Sequence, residues 1–108
     1  MTKKFTDWMN EGRRKGNNYW LTRALKLKDG HTLSIQASDG HYCKPRKDED
    51  DYNWYYMFEI GYPTFKSTLL RPFAEDPKNL TDTVYGYVPT EIIERVIKLH
   101  GGVVGFKE

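Results

Sequence analysis

The chain has 108 residues and a formal net charge of +2, with 38% hydrophobic and 30% charged residues. That length supports one domain over residues 1–108 with one modest core. The near-balance of charge argues against a strongly basic nucleic-acid footprint and against an acidic mimic of DNA.

Aromatic residues make up 15% of the chain. They give a small core large buried areas, and tyrosine keeps a polar tip for solvent. Cys43 is the single cysteine, so no internal disulfide forms and a reducing compartment is expected. The first residues lack the apolar core of a signal peptide, and no apolar run approaches membrane-spanning length. The sequence therefore predicts a cytoplasmic protein with no membrane partner.

Phe5, Trp8 and Met9 fall at helical spacing before Gly12 and predict a short N-terminal helix with Thr6 or Asp7 near its cap. Residues 12–18 read as a basic, glycine-punctuated loop. From Tyr19 the period becomes two. Leu21, Arg23, Leu25 and Leu27 face one way, and Trp20, Thr22, Ala24, Lys26 and Lys28 the other. Asp29-Gly30 predicts a two-residue type I′ turn, in which both central residues need positive φ. The turn should pair residues 21–28 with 31–38, where Leu33, Ile35 and Ala37 share a face.

Residues 47–51 form a charged loop, KDEDD. In residues 53–62, Trp54, Tyr56, Phe58 and Ile60 alternate as a buried strand face, with Tyr55, Met57 and Glu59 opposite. Pro72 breaks the helical spacing of Leu69, Leu70 and Phe73, so a helical turn and a loop are expected over 66–82. Residues 83–88 predict a strand with Tyr85 and Tyr87 on one face. A helix then opens at Thr90, its expected cap. It carries the stripe Ile92, Ile93, Val96 and Ile97, and Gly101 is a natural C-terminal cap. Residues 103–106 suit a short final strand. The expected fold is α+β: an antiparallel sheet of about four strands, a C-terminal helix packed on one face, and a short N-terminal helix. The helix stripe should meet Leu33, Ile35, Phe58, Ile60, Val84 and Val88.

The stretch LSIQASDGHYCKPR, residues 33–46, starts as a strand and ends as a polar loop. It brings His41, Tyr42, Cys43, Lys44 and Arg46 within six residues, the make-up of a binding loop. Cys43 two residues from His41 could act as a nucleophile with a base, but no third orienting group is evident and no enzyme is predicted. A metal site of His41, Cys43 and either His31 or His100 lacks the paired ligand spacing of structural zinc. The acidic run lacks the alternation of a calcium loop. No metal ligand and no cofactor are therefore expected.

Phosphate binding is the stronger reading. Arg13 and Arg14 lie in one basic loop, Lys44 and Arg46 in another, and guanidinium forks match phosphate. Tyr42 and other aromatics offer stacking faces. No Walker motif or dinucleotide fingerprint is present. The candidate ligand-binding residues are His41, Tyr42, Lys44, Arg46, Arg13 and Arg14. A solvent-exposed aromatic face of Trp20, Tyr55, Tyr85 and Tyr87 would be a partner surface, or a surface for self-association into a homo-oligomer.

Five motifs, LSIQAS (33–38), HYCKPR (41–46), FEIGYPT (58–64), VYGYVP (84–89) and IKLHGG (97–102), together resemble a family of small proteins encoded by bacteriophages and prophages of Gram-positive bacteria. The resemblance spans about residues 20–102 and implies a phage origin and a bacterial host cytoplasm. It assigns no catalytic residue. Small phage accessory proteins often counter host defence. Two functions follow as expectations. One is a non-catalytic counter-defence protein that sequesters a phosphorylated host nucleotide signal. The other is a protein-directed inhibitor of a defence nuclease such as Cas9. A nucleic-acid-binding phage accessory protein is a third, weaker reading.

Overall fold

A computed structural model describes residues 3–13 and 21–108. The elements run α1 (Phe5–Glu11), β1 (Leu25–Leu27), β2 (Thr32–Gln36), β3 (Met57–Gly61), β4 (Val84–Pro89), α2 (Thr90–Leu99) and β5 (Val103–Phe106), with single 3-10 turns at Tyr52–Trp54 and Arg71–Phe73. The strands form one antiparallel sheet in the order β4-β3-β2-β1-β5. The α+β architecture with a C-terminal helix is as the sequence predicts. The fifth strand is β5, which adds to the outer edge of β1.

Period-two patterning survives in β1 and β2. Leu25, Leu27, Leu33 and Ile35 are buried, and Leu25 faces Leu33 across the pair. The turn differs from expectation. Gly30 has φ +92°, whereas Asp29 stays outside the left-handed region. The Gly30 N–H donates to the Leu27 carbonyl, and the Leu27 N–H to that of His31. This is a three-residue hairpin loop with one left-handed glycine, not a type I′ turn.

The hairpin is also shorter than residues 21–38. Thr22 is buried, and its backbone is held by the Gln36 side chain, which accepts its N–H at 3.0 Å and donates to its carbonyl at 2.8 Å. Its hydroxyl donates to the Met9 carbonyl. The segment before β1 is thus tied to α1, with Arg13 and Thr22 forming an antiparallel bridge.

The caps expected of α1 and α2 are placed differently. Lys4 precedes α1 with no side-chain cap. Thr6 donates to Asn53 and Asp7 accepts from it, so both residues clasp the 3-10 turn instead. Pro89 precedes α2, and Thr90 is its first helical residue. At the other end the expected glycine cap is present. Gly101 has φ +88°; its N–H donates to Lys98, and that of Gly102 to Ile97. These two bonds make a Schellman motif. A Cβ on Gly101 would stand 2.9 Å from the Lys28 Cβ. Gly101→Val should therefore cost about 1–3 kcal/mol, from positive φ and the clash together. Urea unfolding measures the loss.

Ile93, Val96 and Ile97 join Leu33, Ile35, Phe58, Ile60 and Val88 in a single core. Val84 is half-buried, and Tyr85 takes the inward position in its place. The cause is a bulge. Phe58 faces Val88 and Ile60 faces Tyr85, so three residue steps on β4 oppose two on β3.

Candidate functional site

The bulge in β4 builds the most distinctive surface of the molecule. Tyr87, with φ +54°, is one of two non-glycine residues found there among the described residues. Left-handed backbone at a bulky residue is uncommon and stores strain. The bulge swings Tyr87 out of the alternation, so the residue is 37% exposed while Tyr85 is fully buried. The Tyr87 N–H donates to the Tyr42 carbonyl at 2.9 Å, and the two rings lie 5.9 Å apart at 37°. Gly86 permits this approach, since a Cβ there would stand 3.2 Å from the Tyr42 Cβ.

The 41–46 loop is pinned across the start of β3 and the end of β4. The Lys44 N–H donates to Met57, and its carbonyl accepts from Tyr56. The Lys44–Pro45 peptide is cis. Tyr42 is 41% exposed, and the Arg46 guanidinium carbon lies 5.2 Å from its ring centroid. Lys44 Nζ lies 5.6 Å from the Tyr87 centroid. The two cations thus border the tyrosine pair, at distances suited to cation–π attraction. Arg46 Nε also donates to the Asp39 carbonyl.

Next to the tyrosines is a cleft of about 370 Å³, lined by Tyr42, Pro72, Phe73, Glu75, Val84, Gly86 and Tyr87. Its lining is mostly apolar, and Glu75 is its one charged side chain. A cleft of this shape suits a flat, largely apolar group.

Of the expected ligand residues, Tyr42, Lys44 and Arg46 come together. His41 turns away: its Nδ1 is bonded to the Ser38 hydroxyl at 2.6 Å. Arg13 joins a different neighbourhood, over the Tyr52 ring at 4.3 Å, and donates to the Glu49 carbonyl. Arg14 and Trp20 lie outside the described residues.

The expected aromatic partner face needs correction. Tyr55 is buried, and its phenol donates to the Lys47 carbonyl and accepts from the Glu49 N–H. Burial pushes its pKa up to about 12. It is the inner post of the acidic loop. Tyr85 is buried too, with its hydroxyl on the Leu80 carbonyl. Trp54 and Tyr56, expected in the core, are 69% and 59% exposed. The 3-10 turn at Tyr52–Trp54 exchanges the two faces at residues 54–56 only, and Phe58 and Ile60 within β3 keep their expected inward positions.

Cys43 is fully buried and donates to the Ser38 carbonyl at 3.1 Å. Burial raises its thiol above the ordinary value. His41 and Cys43 each bond to Ser38, which anchors the loop. Phe73, Glu75 and Gly86 were missed by sequence reasoning. Gly86 carried a signal, because glycine inside a strand marks a bulge or a close approach. Comparison of the chain with protein-family models, curated proteins and solved structures finds no match.

Proposed function

We propose that this protein binds a phosphorylated nucleotide without turning it over. The base enters the cleft against Tyr42 and Tyr87, and the phosphate meets Lys44 and Arg46. The observation that carries this reading is the bulged, left-handed Tyr87, held against Tyr42 with a cation beside each ring. A strained aromatic re-aimed toward a cleft points to a ligand contact. Stacking is tolerant of base identity. Glu75 accepts N–H donors and favours a base that offers amino or imino hydrogens to its edge. The anchored thiol of Cys43 supports binding over catalysis. Together with the resemblance to phage proteins, the reading is sequestration of a host nucleotide signal as a counter-defence.

Calorimetric titration with nucleoside monophosphates and cyclic dinucleotides tests it, with inorganic phosphate as the control. The reading expects saturable binding of at least one nucleotide, much tighter than inorganic phosphate. Equal, weak binding of all of them would overturn it.

One observation favours a second reading. Trp54 and Tyr56 present large rings to solvent on the segment leading into β3, and exposed aromatics suit anchors of a protein interface. A protein-directed inhibitor would capture a host defence nuclease, lose it on Trp54→Ala, and ignore nucleotides.

A further inference from the structure

Two histidines far apart in sequence meet beside the β1–β2 loop. His31 follows the β1–β2 loop, and His100 ends α2. Their rings lie 5.5 Å apart at 88°. Asp29, in the same loop, holds Oδ2 at 2.5 Å from His100 Nδ1. One donor atom from each of the three residues lies within 4.8 Å of the other two.

The backbone preorganises this meeting. The Asp29 N–H donates to the His100 carbonyl and the Lys28 N–H to that of Gly102. Phe65 packs 4.0 Å from the His100 ring and 5.3 Å from that of His31, limiting the rotation of both. His31 is also oriented by a neighbour. Its Nδ1 lies 2.9 Å from the Thr64 hydroxyl, which accepts the Thr32 N–H and donates to the Thr32 carbonyl. With Nδ1 held by that hydroxyl, Nε2 is the ring nitrogen left for an ion. A histidine fixed in this way by its second nitrogen is typical of a metal ligand.

We propose that Asp29, His31 and His100 bind a divalent transition-metal ion of the zinc type. Two imidazoles are borderline donors and the carboxylate is a hard one; the mixed set matches zinc and its neighbours, whereas magnesium and calcium take all-oxygen shells. The ion takes the place of the proton between His100 and Asp29, which is released on binding. Tetrahedral zinc places its donors about 3.3 Å apart, so side-chain rotations of about an ångström close the shell. The ion ties the hairpin loop to the end of α2, and a fourth position stays open to water or a ligand.

The test uses the full chain, freed of metal by a chelator. Melting temperature and calorimetric affinity are measured with zinc, and separately with magnesium, near neutral pH. The wild type should bind one zinc per chain, melt higher with zinc, and not respond to magnesium. His31→Gln leaves the Asp29–His100 hydrogen bond in place, so its metal-free melting should stay near wild type while zinc affinity falls by about tenfold or more. His41→Gln should keep the full zinc response. The proposal is overturned if zinc does not raise the wild-type melting temperature or if magnesium raises it equally. It is also overturned if His31→Gln responds like wild type, or if His41→Gln removes the response.

Discussion

Replacing Phe58 by Ala is expected to lower the unfolding free energy by about 3–5 kcal/mol, the largest loss expected of any single change. Phe58 is fully buried on β3, which lies between β2 and β4. Its ring meets Phe5 edge-on at 5.3 Å and Tyr55 at 6.0 Å. One side chain therefore links α1, the sheet and the post of the acidic loop. Domains of this size are stable by about 5–15 kcal/mol, so the variant should sit near the edge of folding. Phe58→Leu keeps most of the buried carbon and should cost clearly less. Urea unfolding of the three proteins reads both values. Equal losses for Ala and Leu would contradict the packing account.

Arg46→Ala is expected to weaken nucleotide binding by about 1.5–3 kcal/mol, the scale of a hydrogen bond to a charged group. Arg46 is exposed beside Tyr42, so the unfolding free energy should change little. Arg46→Lys should restore only part of the affinity, because the planar fork is lost. Arg13→Ala serves as the contrast. Its guanidinium is engaged by Tyr52 and the Glu49 carbonyl, so it should lose stability and leave the affinity unchanged. A loss of stability without a loss of affinity in Arg46→Ala would place Arg46 with Arg13, as a structural residue.

The sequence made some elements easy to read and hid others for physical reasons. In β2, Leu33 and Ile35 keep strict alternation because one face of the strand packs on the core and the other stays half-exposed, while both edges are paired to neighbouring strands. In α2, Ile93, Val96 and Ile97 mark one face, and the glycine pair ends it. Alternation failed where one residue was inserted or the local period changed. The β4 bulge separates Tyr85 from Tyr87, and the 3-10 turn before β3 buries Tyr55 while exposing Trp54 and Tyr56. Period-two reasoning has no term for either event. The 41–46 loop was legible as a cluster, since Tyr42, Lys44 and Arg46 are close in sequence. The rest of the cleft arrives from Phe73, Glu75 and Gly86. Likewise, Asp29 and His100 are 71 positions apart, and no local spacing announces their meeting.

The Tyr42–Tyr87 cleft is proposed to take the base of a nucleotide. Amide and tyrosine-ring nuclear magnetic resonance shifts, followed while the tightest-binding nucleotide is titrated in, test it most directly. The account predicts saturable changes at Tyr42, Phe73, Gly86 and Tyr87, with Arg46 and Lys44 moving in step, and ring-current contacts between base protons and both tyrosines. Changes centred on Trp54 and Tyr56, or none at the cleft while nucleotide binds elsewhere, would contradict it.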